Sequence, residues 1–317
     1  MKTSRYLSYL SAVSLAALLA ACGGGGGEET PAPTTPVPQP DLNISLAFAA
    51  MAGSTPIDCS TALTDLGITN AQGGLRDLRF YISNVKLVTS GGAEVPLVLG
   101  ATDDWNATVG SDRVTLVDLE NASGTCTGGT VAMNSEVKGT VPAGTYVGVK
   151  MTLGVPFALN HTNQGGAIGT GAGESPAVVN NAVHPGMAWN WAGGRKFAKI
   201  EVNDPSWTAP TFNVHLGSTG CTGTNPAAGE VDACTGPNRL DFGFATFDPA
   251  TQKIAVDVRA LLAGNDVTVN GSGPTGCMSG KTDPECVKVF EALAIDLPTG
   301  LTVGNGSTQT VFRAVAK

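Results

Sequence analysis

Hydrophobic and polar residues alternate with a period of two through much of this chain. Val147, Val149, Met151, Leu153 and Val155 interleave with Gly148, Lys150, Thr152 and Gly154, the pattern of a strand with one buried face. Phe212, Val214 and Leu216 alternate with Asn213 and His215, and Ile254, Val256 and Val258 with Ala255, Asp257 and Arg259. Leu78, Phe80 and Ile82 alternate with Arg79, Tyr81 and Ser83, after which the apolar phase slips to Val85 and Leu87, predicting a bulge near Asn84. Turn clusters separate the runs: Ser90-Gly91-Gly92, Pro142-Ala143-Gly144, Asp204-Pro205 and Asp248-Pro249. Short helical stretches are expected at 258–263 and 286–292. Several strands, few helices and no repeat of fixed period predict an all-β fold. The expected architecture is an antiparallel β-sandwich or barrel-like domain with long disulfide-linked loops.

The first forty residues break this pattern. Lys2 and Arg5 precede an uncharged apolar run over 7–19, which is short for a membrane span but has the length of a signal-peptide core. The run closes on Leu19-Ala20-Ala21-Cys22, small residues before a cysteine, as in a bacterial lipobox. Residues 1–21 are therefore expected to be a lipoprotein signal peptide and Cys22 the lipidation site. Acyl chains gain about 0.8 kcal/mol per buried CH₂ and would hold the protein on a membrane. Residues 22–40, Gly-rich and then Pro/Thr-rich, bury nothing and suit a tether. A single β domain is expected over 41–317. Gly23 follows the cysteine where an Asp would be a retention signal, so the expected address is the outer membrane, on its periplasmic side or surface.

The charge pattern narrows the partners. The net charge is −8, and loss of Lys2 and Arg5 with the leader would make it −10. Without basic runs, nucleic acid is not an expected partner. Only 14% of residues are charged while 42 are glycine, which fits a loop-rich β protein. With Cys22 lipidated, six cysteines remain: Cys59, Cys126, Cys221, Cys234, Cys277 and Cys286. An even set outside the cytoplasm suggests disulfides. Short loops favour Cys277–Cys286 and Cys221–Cys234, leaving Cys59–Cys126. Zinc is the competing reading, but the spacings are not CxxC-like.

Candidate chemistry gathers in one stretch. The three histidines, His161, His184 and His215, fall within it, as does Met187-Ala188-Trp189-Asn190-Trp191. On a strand, Met187, Trp189 and Trp191 would share a face. Imidazole and thioether are soft ligands suited to copper, Cu(I) above all. His215 sits on the face opposite Phe212 and Val214 and so points away from the apolar side. Two tryptophans on one face also suit plain core packing or a contact platform. No GxSxG elbow occurs, and Gly169-x-Gly171-x-Gly173 lacks the lysine and helix of a phosphate cradle.

From about 75 to 293 the chain resembles the MbnP-like family, the metallo-mystery pair four-Cys motif proteins related to the methanobactin partner protein. The resemblance is carried by Leu78-Arg79-Phe80-Tyr81-Ile82-Ser83, Gly154-Val155-Pro156-Phe157-Ala158-Leu159-Asn160-His161 and Met187-Ala188-Trp189-Asn190-Trp191 followed by Lys196-Phe197. It continues in Phe212-Asn213-Val214-His215-Leu216-Gly217-Ser218-Thr219-Gly220-Cys221 and in Cys277-Met278-Ser279-Gly280 ending in Asp283-Pro284-Glu285-Cys286. The order and combination are specific; no single motif would suffice. The resemblance implies a periplasmic or outer-membrane-associated copper protein whose partner is a dihaem protein of the cytochrome c peroxidase type. It implies that the partner oxidises a tryptophan in the Trp189-x-Trp191 motif to kynurenine. It also implies that His161 and His215 are the two copper-binding histidines. His184 falls where no family histidine is expected, and Arg195 stands where a tyrosine would be.

The expectation is therefore an exported lipoprotein that binds Cu(I), is the substrate of a dihaem partner and is not itself an enzyme. Its expected metal set is His161, His215, Trp189, Trp191, Met187 and, more weakly, His184. Indole N–H only donates, whereas the aniline amine of kynurenine has a lone pair for the metal. One rival is a disulfide-framed binding module that uses Trp189 and Trp191 as a platform and needs no metal. Another is a metal-dependent enzyme built on the same histidines.

Overall fold

The computed structural model describes residues 39–189 and 194–317. The leader, Cys22, most of the expected tether and Trp191 lie outside the described residues. Among the described residues no helix is long and apolar enough to cross a membrane.

The alternation seen in the sequence becomes two packed sheets. One has six strands, with the order Phe312–Ala316, Gln252–Asp257, Leu42–Ala52, Glu136–Val141 and Val98–Leu99, and Thr55–Pro56 pairing on Leu42–Ala52. The other has nine strands and is built around the 19-residue strand Ala71–Thr89. Its main path runs Thr211–Leu216, Ala198–Asn203, Ala71–Thr89, Tyr146–Leu153 and Leu240–Phe244. Most pairs are antiparallel as expected, but Leu42–Ala52 runs parallel to Gln252–Asp257. Parallel neighbours need a long crossover, here the whole second sheet and its loops.

The core lies between the sheets. Phe48 meets Phe80 edge-on at 5.5 Å, Phe80 meets Phe312 at 5.9 Å, and Phe312 stacks on Phe242 at 4.6 Å. Offset and edge-to-face contacts of this kind add to area burial. The bulge forms where the phase slip placed it: Thr152 pairs with Ser83 and Lys150 with Lys86, so Asn84 and Val85 together oppose Met151. Asn84 takes a left-handed φ of 53°, which asparagine tolerates better than most residues. Helices form at Val258–Leu262 and Pro284–Ala292, each capped by an aspartate, Asp257 and Asp283, that accepts a backbone N–H. Val258 starts the first of these and is not the last residue of the preceding strand.

All six cysteines of the described residues form disulfides: Cys59–Cys126, Cys221–Cys234 and Cys277–Cys286. This is the pairing that loop length favoured, and it leaves no thiolates for zinc.

Candidate metal centre

Around residues 77–81 the outer face of the nine-stranded sheet is not solvated. It is covered there by two long loops, the first over 119–135 and the second over 154–187, and carries a charged cluster beneath them. Leu78, Phe80 and Ile82 face the core, so Asp77, Arg79 and Tyr81 must point outward; all three are fully buried. Arg79 donates to Asp77 at 2.9 and 2.7 Å, to the Gly128 carbonyl at 3.2 Å and to the Pro185 carbonyl at 3.1 Å. Burial works against its charge, but Asp77, Asp118 and Glu120 outweigh this and hold the guanidinium pKa above its usual range. Both covering loops therefore dock on one arginine. Tyr81 Oη donates to the Val178 carbonyl at 3.0 Å and ties down the second loop.

His215 lies in this cluster. On Thr211–Leu216 it pairs across to Lys199, with the apolar neighbours Val214 and Leu216 turned into the core. The sequence put His215 on the opposite face correctly, but that face is buried too: His215 is 7% exposed. Its Nε2 lies 2.7 Å from Glu201 Oε1. Burial lowers the His215 pKa against the pull of Glu201, so the ring is neutral at neutral pH and donates its Nε2–H to the carboxylate. Burial alone would raise Glu201, but the His215 N–H, Lys199 and Arg76 overcome this and set its pKa at about 2. The lone pair of His215 is thus left on Nδ1.

His161 follows the short helix Phe157–Asn160 and is also 7% exposed. Asn160 positions it. Asn160 Oδ1 accepts the Arg195 N–H at 2.7 Å, so its Nδ2 faces His161 Nε2 at 3.0 Å and Ser218 Oγ at 3.5 Å. Trp189 comes from the other side. Within the described part of the motif, Ala188–Trp189 pairs with Gly194–Arg195. Trp189 is 3% exposed, and its six-membered ring lies on Gly217: a Cβ there would stand 2.3 Å from Cε3 and Cζ3. A Cβ on Gly194 would stand 2.9 Å from the Asn160 amide. Two glycines thus let His161, Trp189 and the end of the His215 strand converge on Asn160. A Trp189 this buried offers no contact platform.

The remaining candidates separate. Met187 is packed into the hydrophobic core. His184 Nε2 lies 2.5 Å from the Asp104 carbonyl, and its ring sits 4.9 Å from that of Trp105. Burial lowers its pKa. Among the described residues, the only three-membered groups of His, Cys, Asp or Glu donor atoms are His161–Cys221–Cys234 and Cys59–Glu120–Cys126, and the cysteines of both are disulfide-bonded.

The supporting roles of three residues were not legible in the sequence. Arg195 is 1% exposed and donates to the carbonyls of Asn160 and Thr162 at 2.7 Å each, to that of Val179 at 2.8 Å and to Ser175 Oγ at 2.9 Å. It clamps the backbone on both sides of His161. Glu201 orients His215. Ser279 accepts the Gly217 N–H at 3.2 Å and donates to the His215 carbonyl at 3.0 Å, bracing the strand end. The unexpected arginine in place of tyrosine and the buried acidic position on Ala198–Asn203 were the available signals.

The family model for MbnP matches residues 41–279. Among solved structures, MbnP from Methylosinus trichosporium is similar with a TM-score of 0.70 at 31% identity, over 88% of this chain and 99% of that one. No curated protein matches.

Proposed function

The chain belongs to the MbnP family, and from that premise we propose that it is an exported lipoprotein that carries copper as cargo, held as Cu(I) by His161, His215 and an oxidised tryptophan. The observation that supports this most is the convergence of His161, Trp189 and the end of the His215 strand around Asn160 and Gly217. The donor chemistry fits. Glu201 fixes the His215 proton on Nε2 and leaves Nδ1 for a metal, the carboxylate–histidine arrangement that orients metal ligands. Asn160 donates to His161 Nε2, so that nitrogen carries a lone pair that can turn to copper.

Trp189 is where the motif needs chemistry. Its indole N–H cannot ligate, whereas ring-opening to kynurenine supplies an aniline amine. The dihaem partner of the cytochrome c peroxidase type is the proposed oxidant, acting on Trp189 or on its neighbour Trp191. Two imidazoles and one amine make a low-coordinate, nitrogen-only set that suits Cu(I). The charged cluster and its two covering loops hold the site rigid and keep bulk water from the ligands.

Peptide mass spectrometry of protein produced with and without the dihaem partner tests the modification. The peptide bearing both tryptophans should gain about 4 Da, two oxygens in and one carbonyl out, only when the partner is present. An unmodified peptide from protein that nonetheless carries copper would leave a plain histidine site in place of this mechanism.

A further inference from the structure

The three disulfides differ in access. Cys59, Cys126, Cys277 and Cys286 are each at most 3% exposed. Cys221 and Cys234 are only half-buried, face each other across the ribbon Thr219–Thr222 and Ala233–Gly236, and Cys234 lines a cleft of about 300 Å³. A thiol reductant can reach this pair and not the others, and exposed disulfides are the labile ones. His161 Nε2 lies 3.4 Å from Cys234 Sγ, and with Cys221 Sγ the three donor atoms all fall within 4.8 Å of one another. Two sulfurs and one imidazole nitrogen form a set that, once the sulfurs are thiolates, selects Cu(I).

We propose that the Cys221–Cys234 disulfide is a redox gate over a second soft-metal site, in which the two freed thiolates and His161 hold one Cu(I) ion. The reductant is a dithiol. One of its thiolates attacks the cleft-facing sulfur of Cys234, forming a mixed disulfide and releasing Cys221 as a thiolate. Its second thiol then closes its own disulfide and releases Cys234. Two electrons pass to the protein, and the dithiol leaves oxidised. Cu(I) binding to the two cysteines displaces their thiol protons to water.

The ribbon does not depend on the bridge for its shape. Asp232 N–H donates to the Thr222 carbonyl at 2.8 Å, and Asn238 Nδ2 donates to the Gly217 carbonyl at 2.8 Å and to Thr219 Oγ1 at 3.1 Å. The two sulfurs therefore stay together when the bond opens. This site shares His161 with the function proposed above but uses neither Trp189 nor His215.

The test treats the full chain with dithiothreitol, then labels thiols under denaturing conditions and maps them. Only Cys221 and Cys234 should label. Both sites claim His161 Nε2, so protein made without the dihaem partner is titrated with Cu(I) against a chromogenic Cu(I) chelator; the reduced form should bind one ion per chain that the oxidised form does not bind. That gain should survive Trp189→Phe and His215→Ala. It should vanish when the reduced pair is blocked with iodoacetamide or replaced in Cys221→Ser/Cys234→Ser, and His161→Ala should weaken it about tenfold or more. Labelling spread over all six cysteines, a pair that resists reduction, or a gain that survives blocking would each overturn the proposal. Copper missing from oxidised protein made with the dihaem partner would defeat the tryptophan reading alone.

Discussion

Asp118 and Glu120 sit beside Arg79 under the first covering loop, and both are fully buried. Burial raises both, and the charge of Glu120 lifts Asp118 further, to about 8. The sign of the consequence follows from linkage. The unfolded chain releases this proton near the ordinary carboxyl value of 3.8 and the folded chain near 8, so the folded state binds more protons in between. The stability Asp118 contributes is present in full below about pH 4 and is lost as the pH rises to about 8. Glu201 acts in the opposite direction, its contribution being present above the ordinary glutamate value of 4.5 and lost as the pH falls toward 2. Asp118→Asn, which mimics the protonated form, should flatten the pH dependence of chemical denaturation between pH 4 and 8. An unchanged slope would place the extra proton elsewhere.

Among the elements, strands with a wet face or a core face were legible because alternation reports one-sided burial. The Tyr146–Leu153 strand, the bulge at Asn84 and the apolar face of Thr211–Leu216 all follow from it. Alternation could not show that the polar face beside His215 is buried as well, because charged residues under a loop read like charged residues in water. The site motifs were legible as motifs, but their convergence depends on Gly194, Gly217 and the fork of Arg195, whose roles are spatial. Gly217 gives the sharpest test. Its substitution by alanine places a Cβ 2.3 Å from the Trp189 ring. Gly217→Ala should cost about 1–3 kcal/mol by overpacking, shift the tryptophan fluorescence and weaken copper binding. Wild-type fluorescence and affinity would mean that Trp189 does not depend on this seat.

At the scale of the molecule, the sandwich supplies a rigid frame and the loops supply the site. The Phe48, Phe80, Phe242 and Phe312 rings lock the two sheets together, and the disulfides fasten the loops that carry chemistry. A frame of this kind can sit at a membrane with only a lipid to hold it. Cys22→Ser should therefore release the protein into the soluble fraction on cell fractionation, and a mutant still pelleting with membranes would contradict lipid anchoring. The central claim is that His161 and His215 hold copper together. Its most direct test is a competitive Cu(I) titration of protein produced with the dihaem partner, comparing wild type with His161→Ala, His215→Ala and His184→Ala. The first two should lose most of their affinity while His184→Ala stays near wild type; full affinity in both His161→Ala and His215→Ala would contradict the assignment.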